Sequence, residues 1–243
     1  MANKEMFRFR WDHRHPIHRV AVKQANRLLA RIPLAAKYRI GARLRRTRPP
    51  YSLVSPGDVV VQVGAPSDTL HSGRSRGMHL ALRSQGGAAV IVEPDPSSAR
   101  EFDQAAAELG LDHVTVVNSG AWNEPGTLDL LVDPSHPATN FMAGTVDYDA
   151  DRVADFEPLT VPVGTLDTIV EKALGSLRPV RVLSITTNNS EREILQGIDR
   201  LLEAGLQYLC LARTGEGYDD LATELGFEFF CSDDRGFTYI RRH

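Results

Sequence analysis

Pro56-Gly-Asp-Val-Val-Val-Gln-Val-Gly64-Ala65 leads into a turn and a polar helical segment, and the stretch closes on Ala88-Ala-Val-Ile-Val-Glu-Pro-Asp-Pro96. Val59, Val60, Val61 and Val63 form a β-branched run that ends at Gly64. Ala89, Val90, Ile91 and Val92 form a second run that ends at Glu93. Two short apolar strands separated by about one helix of chain predict a βαβ unit with a buried parallel sheet. A glycine just past the first strand lets backbone approach a ligand closely. An acid at the end of the second strand suits a pair of ribose hydroxyls. Any doubly wound α/β domain could also place a turning Gly64 and a solvated Glu93 there, so on this stretch alone both readings stay open.

Working outward, the C-terminal side repeats the same grammar. Ala99, Phe102, Ala106 and Leu109 mark a helix that Ser98 and Glu101 could cap as a reciprocal box, with Gly110 ending it. Val114 to Val117 is a third strand, and residues 127–132 alternate weakly as an edge or hairpin strand. Residues 133–160 show no period and read as a long loop, a length that is often functional. A short helix is expected over 165–174 and a fourth strand from Val180 to Ile185. One helix with a Ser190/Glu193 box then carries Ile194, Leu195, Ile198, Leu201 and Leu202, and Gly205 ends it. Leu206 to Leu211 is a fifth strand. Phe227-Glu-Phe-Phe230 and Phe237-Thr-Tyr-Ile240 predict a terminal hairpin around Asp233-Asp-Arg-Gly236. Helix–glycine–strand joints at Gly110, Gly205 and Gly226 fit an alternating α/β order.

The N-terminal side is different in kind. Residues 1–50 hold 14 of the 28 Lys+Arg and two acids, a net of +12, whereas the rest of the chain carries −15. This break divides the chain into a basic helical N-terminal arm (1–50) and a body (51–243). Residues 16–32 have helical period, with Ile17, Val20, Leu28 and Leu29 on one face and Arg19, Lys23, Arg27 and Arg31 in a row on another. Residues 34–48 stay basic. Such an arm either lies on an anionic membrane surface through residues 1–48, binds another polyanion, or packs as a cap helix with solvated arginines. A nucleic-acid partner is not expected, because no aromatic interleaving and no binding motif appear. No apolar run reaches the length of a membrane span, and no apolar segment follows Lys4, Arg8, Arg10 and Arg14. The two cysteines, Cys210 and Cys231, are too few for a disulfide framework. These features predict a cytoplasmic protein, at most peripheral to a membrane.

From about Gly57 to Tyr239 the order of segments resembles the FkbM-type methyltransferases, which are class I S-adenosylmethionine enzymes. Five stretches carry the resemblance: Gly57 to Ala65; Val92-Glu-Pro-Asp-Pro96; Val116 to Ala121 with Gly126-Thr127; Thr165-Leu-Asp167; and Ser190 to Gly197. It implies a doubly wound, Rossmann-like class I sheet with a C-terminal hairpin, S-adenosylmethionine as cofactor, and O-methylation of a small-molecule or glycan hydroxyl. It further implies that Glu93 takes the ribose hydroxyls, that Gly64 and Ala65 give backbone room to the methionine part, and that Asn118 and Ser119 flank the adenine. Three departures stand out. Gln62 replaces an aspartate, Pro66-Ser-Asp68 replaces an Asn-x-Gly turn, and Ser184-Ile-Thr-Thr-Asn-Asn189 replaces a Lys-x-Asp-x-Glu-Gly stretch.

The third departure bears on chemistry. A sulfonium donor is already activated, so the protein mainly positions donor and acceptor, and a hydroxyl acceptor still benefits from a base. Asn188 and Thr186 can orient a hydroxyl but cannot take its proton. Glu191 is the nearest candidate base, although a glutamate in a first helical turn also serves the macrodipole. His136, His71 and His79 are further candidates. No His/Asp/Glu cluster suggests a metal. Two alternatives follow: a non-catalytic protein that keeps the fold as a binding or scaffold module, and a dinucleotide enzyme. The latter is disfavoured because Gly64 lacks the second and third glycines of G-x-G-x-x-G.

Overall fold

A computed structural model describes residues 32–133, 136–146, 153–212 and 218–242. The helix expected over 16–32 lies outside the described residues. The strands β1 (Val59–Val63), β2 (Ala88–Val92) and β3 (Val114–Val117) pair in parallel, and β8 (Val182–Ile185) and β9 (Tyr208–Ala212) extend the sheet from the other side of β1. β10 (Phe227–Ser232) and β11 (Gly236–Arg241) close it as an antiparallel hairpin. The order is β10-β11-β9-β8-β1-β2-β3, with β11 the one strand that opposes the rest. The chain winds outward from β1 to β3, then returns to β8 and winds the other way, so the topological switch point lies between β1 and β8.

The β-branched runs become strands because both faces are covered. Every residue of β1, β2, β8 and β9 is buried. Val59, Val61 and Val63 enter one core with Leu183, Ile185, Leu209 and Leu211, whereas Val60 enters the opposite core with Ala89, Ile91, Val182 and Cys210. The side-chain period of two thus loads both cores from one strand.

Helices α1 (Leu34–Arg45), α2 (Ser67–His71), α3 (Arg76–Arg83) and α4 (Pro96–Glu108) precede β3. Helix α4 starts earlier than the Ser98/Glu101 box implies. Asp95 is its cap, accepting from the N–H groups of Ser97 and Ser98, and Pro96 stands at the first helical position. Glu101 instead meets His71. The cap falls on Asp95 because proline presets the helical φ and lacks the N–H that would otherwise be orphaned.

Helix α5 (Leu166–Leu174) follows the expected 165–174, with Thr165 as cap and Gly175 at φ +76° as stop. The single helix expected after Ser190 is instead two, α6 (Glu191–Leu195) and α7 (Asp199–Glu203). Gly197 sits at the break. A Cβ there would lie 2.6 Å from the Trp122 carbonyl oxygen, so the chain must pass bare against that strand. Asp167 reaches across from α5 and accepts from the N–H groups of Arg200 and Leu201, both at 2.9 Å, capping α7 from outside. The Ser190/Glu193 box does not form: the Ser190 side chain makes no cap bond, and Glu193 Oε2 is buried without a partner. Helix α8 (Tyr218–Glu224) leads into β10.

The stretch 133–160 is not one long loop. Between β3 and α5 the chain builds a second sheet from β4 (Gly120–Trp122), β5 (Gly126–Val132), β6 (Phe141–Met142) and β7 (Glu157–Thr165), in the order β4-β7-β5-β6. Pro158 and Pro162 masked the strand in sequence. They are four residues apart and share parity, and the ladder from β7 to β5 runs unbroken from Glu157 to Val163 past both prolines. Leu130, Met142, Val161 and Val163 form its small core. Among the described residues no helix is long and apolar enough to cross a membrane.

Candidate functional site

The carboxyl ends of β1, β2 and β8 meet at the switch point, where doubly wound sheets hold ligands. Gly64 leaves β1 at φ +77°, and a Cβ there would lie 2.2 Å from the carbonyl oxygen of Thr186 at the end of β8. The two strand ends are therefore in backbone contact, and only glycine fits. Gln62, one of the three departures noted in the sequence, has a structural task of its own. Its amide nitrogen lies 2.8 Å from the carbonyl oxygen of Val63, 2.9 Å from that of Gly64 and 3.0 Å from Thr186 Oγ1. A carboxylate at this position could not donate to three oxygens; the amide ties the two strand ends together.

Glu93 ends β2 and is 5% exposed. Its Oε2 accepts from Ala65 N at 2.5 Å and its Oε1 from Asp95 N at 2.9 Å. Burial pushes its carboxyl up to about 7, against the pull of those two N–H groups and with a further push from the Asp95 charge. The Glu-Pro loop is held from behind by Asn118, whose amide donates to the carbonyl oxygens of Glu93 (3.0 Å) and Pro94 (2.9 Å).

A cleft opens between these strand ends and the second sheet. Gly64, Glu93, Thr186 and Asn188 line it. Ala65, Asn118, Ser119 and Glu191 stand outside its lining. Ala65 buries its methyl in the core and presents its N–H to Glu93, Asn118 and Ser119 bond backbone carbonyls, and Glu191 lies inside the protein at 0% exposure. Sequence reasoning missed Gly120, Ala121, Thr187 and the roof residues Asn140, Phe141 and Met142, all of which line the cleft. Gly120 carries the one legible signal, since it lies in the third-strand motif. A Cβ there would meet Met142 Cε at 2.7 Å and Val163 Cγ1 at 2.8 Å, so glycine lets the roof close down on the sheet.

Asn188 holds that roof. Its amide donates to the carbonyl oxygens of Ala138 (3.0 Å) and Asn140 (2.7 Å), about fifty residues back in the chain. Asn189 follows at φ +69° and donates to the Thr145 carbonyl, which fixes the same connection a second time. Glu191 Oε2 accepts from Tyr218 Oη at 2.8 Å. Burial raises its pKa, with the Tyr218 hydroxyl and Thr187 pulling the other way. Among the described residues, Glu93 is the only Asp, Glu, His, Cys or Lys side chain in the cleft lining.

The histidines are elsewhere. His136 Nδ1 lies 3.1 Å from Asp68 Oδ2 on the outer surface beside the cleft. His71 pairs with Glu101 at 2.5 Å and is largely exposed. His79 is buried against Tyr38 and Tyr51, and burial pushes its ring down to about 4. Among the described residues no group of three or more His, Cys, Asp or Glu side chains could hold a metal ion.

A solved structure of methyltransferase FkbM from Methylobacillus flagellatus superposes on 79% of this chain with a TM-score of 0.51 at 14% sequence identity. The fold is that of a Rossmann-like methyltransferase. This chain spans about half of that structure, 48% of its length. An O-methyltransferase from Bacillus cereus in complex with SAH also aligns, covering 91% of this chain and 88% of its own at 12% identity and a TM-score of 0.43. So does Aeropyrum pernix fibrillarin with natively bound S-adenosyl-L-methionine, over 85% and 74% at 13% identity and a TM-score of 0.43. No family model matches the chain, and no curated protein does.

Proposed function

We propose that this protein binds S-adenosylmethionine in the switch-point cleft and transfers its methyl group to a hydroxyl of a small molecule or glycan. The observation that carries the reading is Glu93, a carboxylate fixed by two backbone N–H groups at the rim of a cleft whose floor is the bare backbone of Gly64. Each Glu93 oxygen uses one lone pair on the protein and keeps another for a ribose hydroxyl. Gly64 leaves room for the methionine part, and Gly120 and Ala121 line the same cleft and would flank the adenine. When bound, the cofactor supplies a methyl already activated on a sulfonium. The chain's task is then alignment and the exclusion of water, which the apolar roof of Leu130, Phe141 and Met142 favours. Asn188 has committed its amide hydrogens to the roof, so its carbonyl oxygen is the atom left to accept from an acceptor hydroxyl. Glu191, behind Thr187, is the carboxylate beyond the lining that would receive a proton through the Thr187 hydroxyl.

One observation favours a second reading. Among the described residues, no side chain in the lining apart from Glu93 can take up a proton at neutral pH, which suits a protein that keeps the fold as a cofactor-binding or scaffold module. Calorimetric titration with S-adenosylmethionine, followed by methyl transfer to a panel of sugar, glycolipid and small-molecule hydroxyls, separates the two. Binding with transfer supports the enzyme. Binding without transfer to any acceptor supports a cofactor-binding module, and absence of binding defeats the enzyme and favours the scaffold. Glu93→Ala should weaken cofactor binding about tenfold to a hundredfold, the cost of losing a charged acceptor pair.

A further inference from the structure

Helix α1 is oriented by its inner face. Tyr38 is fully buried and donates to the Leu70 carbonyl at 3.1 Å. Gly41 lies so close to His79 that a Cβ would stand 2.6 Å from its Cε1. With Tyr38 and Gly41 turned inward, Arg39, Ile40, Arg43 and Leu44 must face solvent, and Arg46, Thr47 and Arg48 continue the exposed surface. Ile40 is 55% exposed and Leu44 69%, two of the four large apolar side chains so exposed among the described residues. Arg39, Arg43, Arg46 and Arg48 make no ion pair with a described residue; Lys37 and Arg45, by contrast, are turned toward His71 O and Asp234. Between Asp12 and Asp58 the sequence holds no acidic residue at all.

We infer that this outer face of α1 is a docking surface for an anionic phospholipid bilayer. The charge argues for an anionic partner, since four arginines stand together and none pairs with a described acid. The apolar pair argues for lipid rather than nucleic acid. A phosphodiester backbone would leave Ile40 and Leu44 in water, whereas a bilayer takes them below the headgroups while the arginines extend outward to the phosphates. The aromatic side chains of this region, Tyr38 and Tyr51, are buried and offer no stacking platform for bases. Two apolar side chains in a field of arginines are also too few for the core of a stable protein interface. The α1 segment lies against Leu70 and His71, the last residues of helix α2, which begins next to Pro66 of the cleft wall. The bilayer surface and the cleft are thereby linked through one short stretch of chain. The inference does not depend on the cofactor reading, because vesicle binding needs no turnover.

The test is cosedimentation of the full chain with vesicles of phosphatidylcholine alone or mixed with phosphatidylglycerol, at low and high salt. The wild type should bind the phosphatidylglycerol vesicles at low salt and release them as salt rises. Each exposed arginine near an anionic surface contributes about fivefold in partitioning, so Arg39→Gln/Arg43→Gln/Arg46→Gln should lower binding about a hundredfold. Ile40→Ser/Leu44→Ser should lower it about tenfold or more, with the charge untouched. All these side chains are exposed, and thermal melts equal to wild type will show that the variants fold. Wild-type binding that neither variant changes would overturn the inference and move the contact to residues 1–31. No binding at low salt would overturn it outright. Loss in the arginine variant alone, with single-stranded RNA competing as well as vesicles do, would make the face a general polyanion surface and overturn the lipid assignment.

Discussion

At the residue scale, Glu93 holds the sharpest consequence. Its carboxyl is pushed up to about 7 by burial, so near neutrality a small change in pH switches its charge. Two hydroxyl donors and a cationic sulfonium both favour the ionised form. Affinity for S-adenosylmethionine is expected to rise as pH is raised from about 6 to about 8, by roughly tenfold, and then to level off; titration calorimetry across that range checks it. Stability runs the opposite way. Because the folded pKa lies above the unfolded one, the folded state holds the proton between about 4.5 and 7 while the unfolded state releases it. The stabilisation is full below about 4.5 and is lost as pH rises through 7, up to about 3 kcal/mol from this group. Glu93→Gln should flatten that part of the stability–pH curve in urea titrations. Gln62 illustrates why such roles are hard to read in sequence: its three oxygen partners include Thr186, which lies 124 positions away.

At the element scale, the break between α6 and α7 depends on Asp167. A five-residue helix has little intrinsic stability, since its nucleation cost is spread over almost no hydrogen bonds. Asp167 satisfies two of the orphan N–H groups of α7 from a neighbouring helix and places Leu201 in the core. Burial raises its pKa, with the two N–H groups and the Arg200 charge opposing. Asp167→Ala should destabilise the fold by about 1–2 kcal/mol, the usual worth of a cap, and Asp167→Asn should recover part of it because one acceptor oxygen remains. Chemical denaturation of the three proteins decides this. If Asn is as costly as Ala, the charge rather than the cap geometry is what matters. The roof offers a companion measurement. Asn188→Ala removes the two bonds to Ala138 and Asn140, and should raise hydrogen exchange in residues 136–146 while leaving the main sheet protected.

At the scale of the whole molecule, the terminal hairpin is locked to the first βαβ unit by a buried charge cluster. The Arg76 side chain is 1% exposed, and its Nη2 donates to Asp233 at 2.6 Å and Asp234 at 2.7 Å, across more than 150 positions of sequence. Tyr51 Oη donates to Asp234 Oδ2 at 2.7 Å, which brings the segment after α1 into the same cluster. Burial works against the guanidinium charge, but Asp233 and Asp234 outweigh it and hold Arg76 firmly charged. Removing one partner leaves a buried charge uncompensated, so Arg76→Ala should cost about 3–5 kcal/mol. Arg76→Met paired with Asp233→Asn and Asp234→Asn should recover much of that loss, as measured by urea midpoints and a thermal melt.

The sequence by itself determined the parallel strands, the place of Gly64 at the end of the first and of Glu93 at the end of the second, and the terminal hairpin. Each rests on a local signal: a β-branched run, a residue that must take positive φ, an alternation of two. What only the tertiary structure decided has partners far along the chain. The strand through Pro158 and Pro162 exists because β5 supplies a ladder that tolerates the missing donors. The helix divides at Gly197 because the Trp122 carbonyl occupies the space a side chain would need. The roof over the cleft closes because Asn188 bonds carbonyls that no periodicity points to. Local pattern fixes which way a side chain faces, but the oxygen or nitrogen it meets there is chosen by packing across the whole chain.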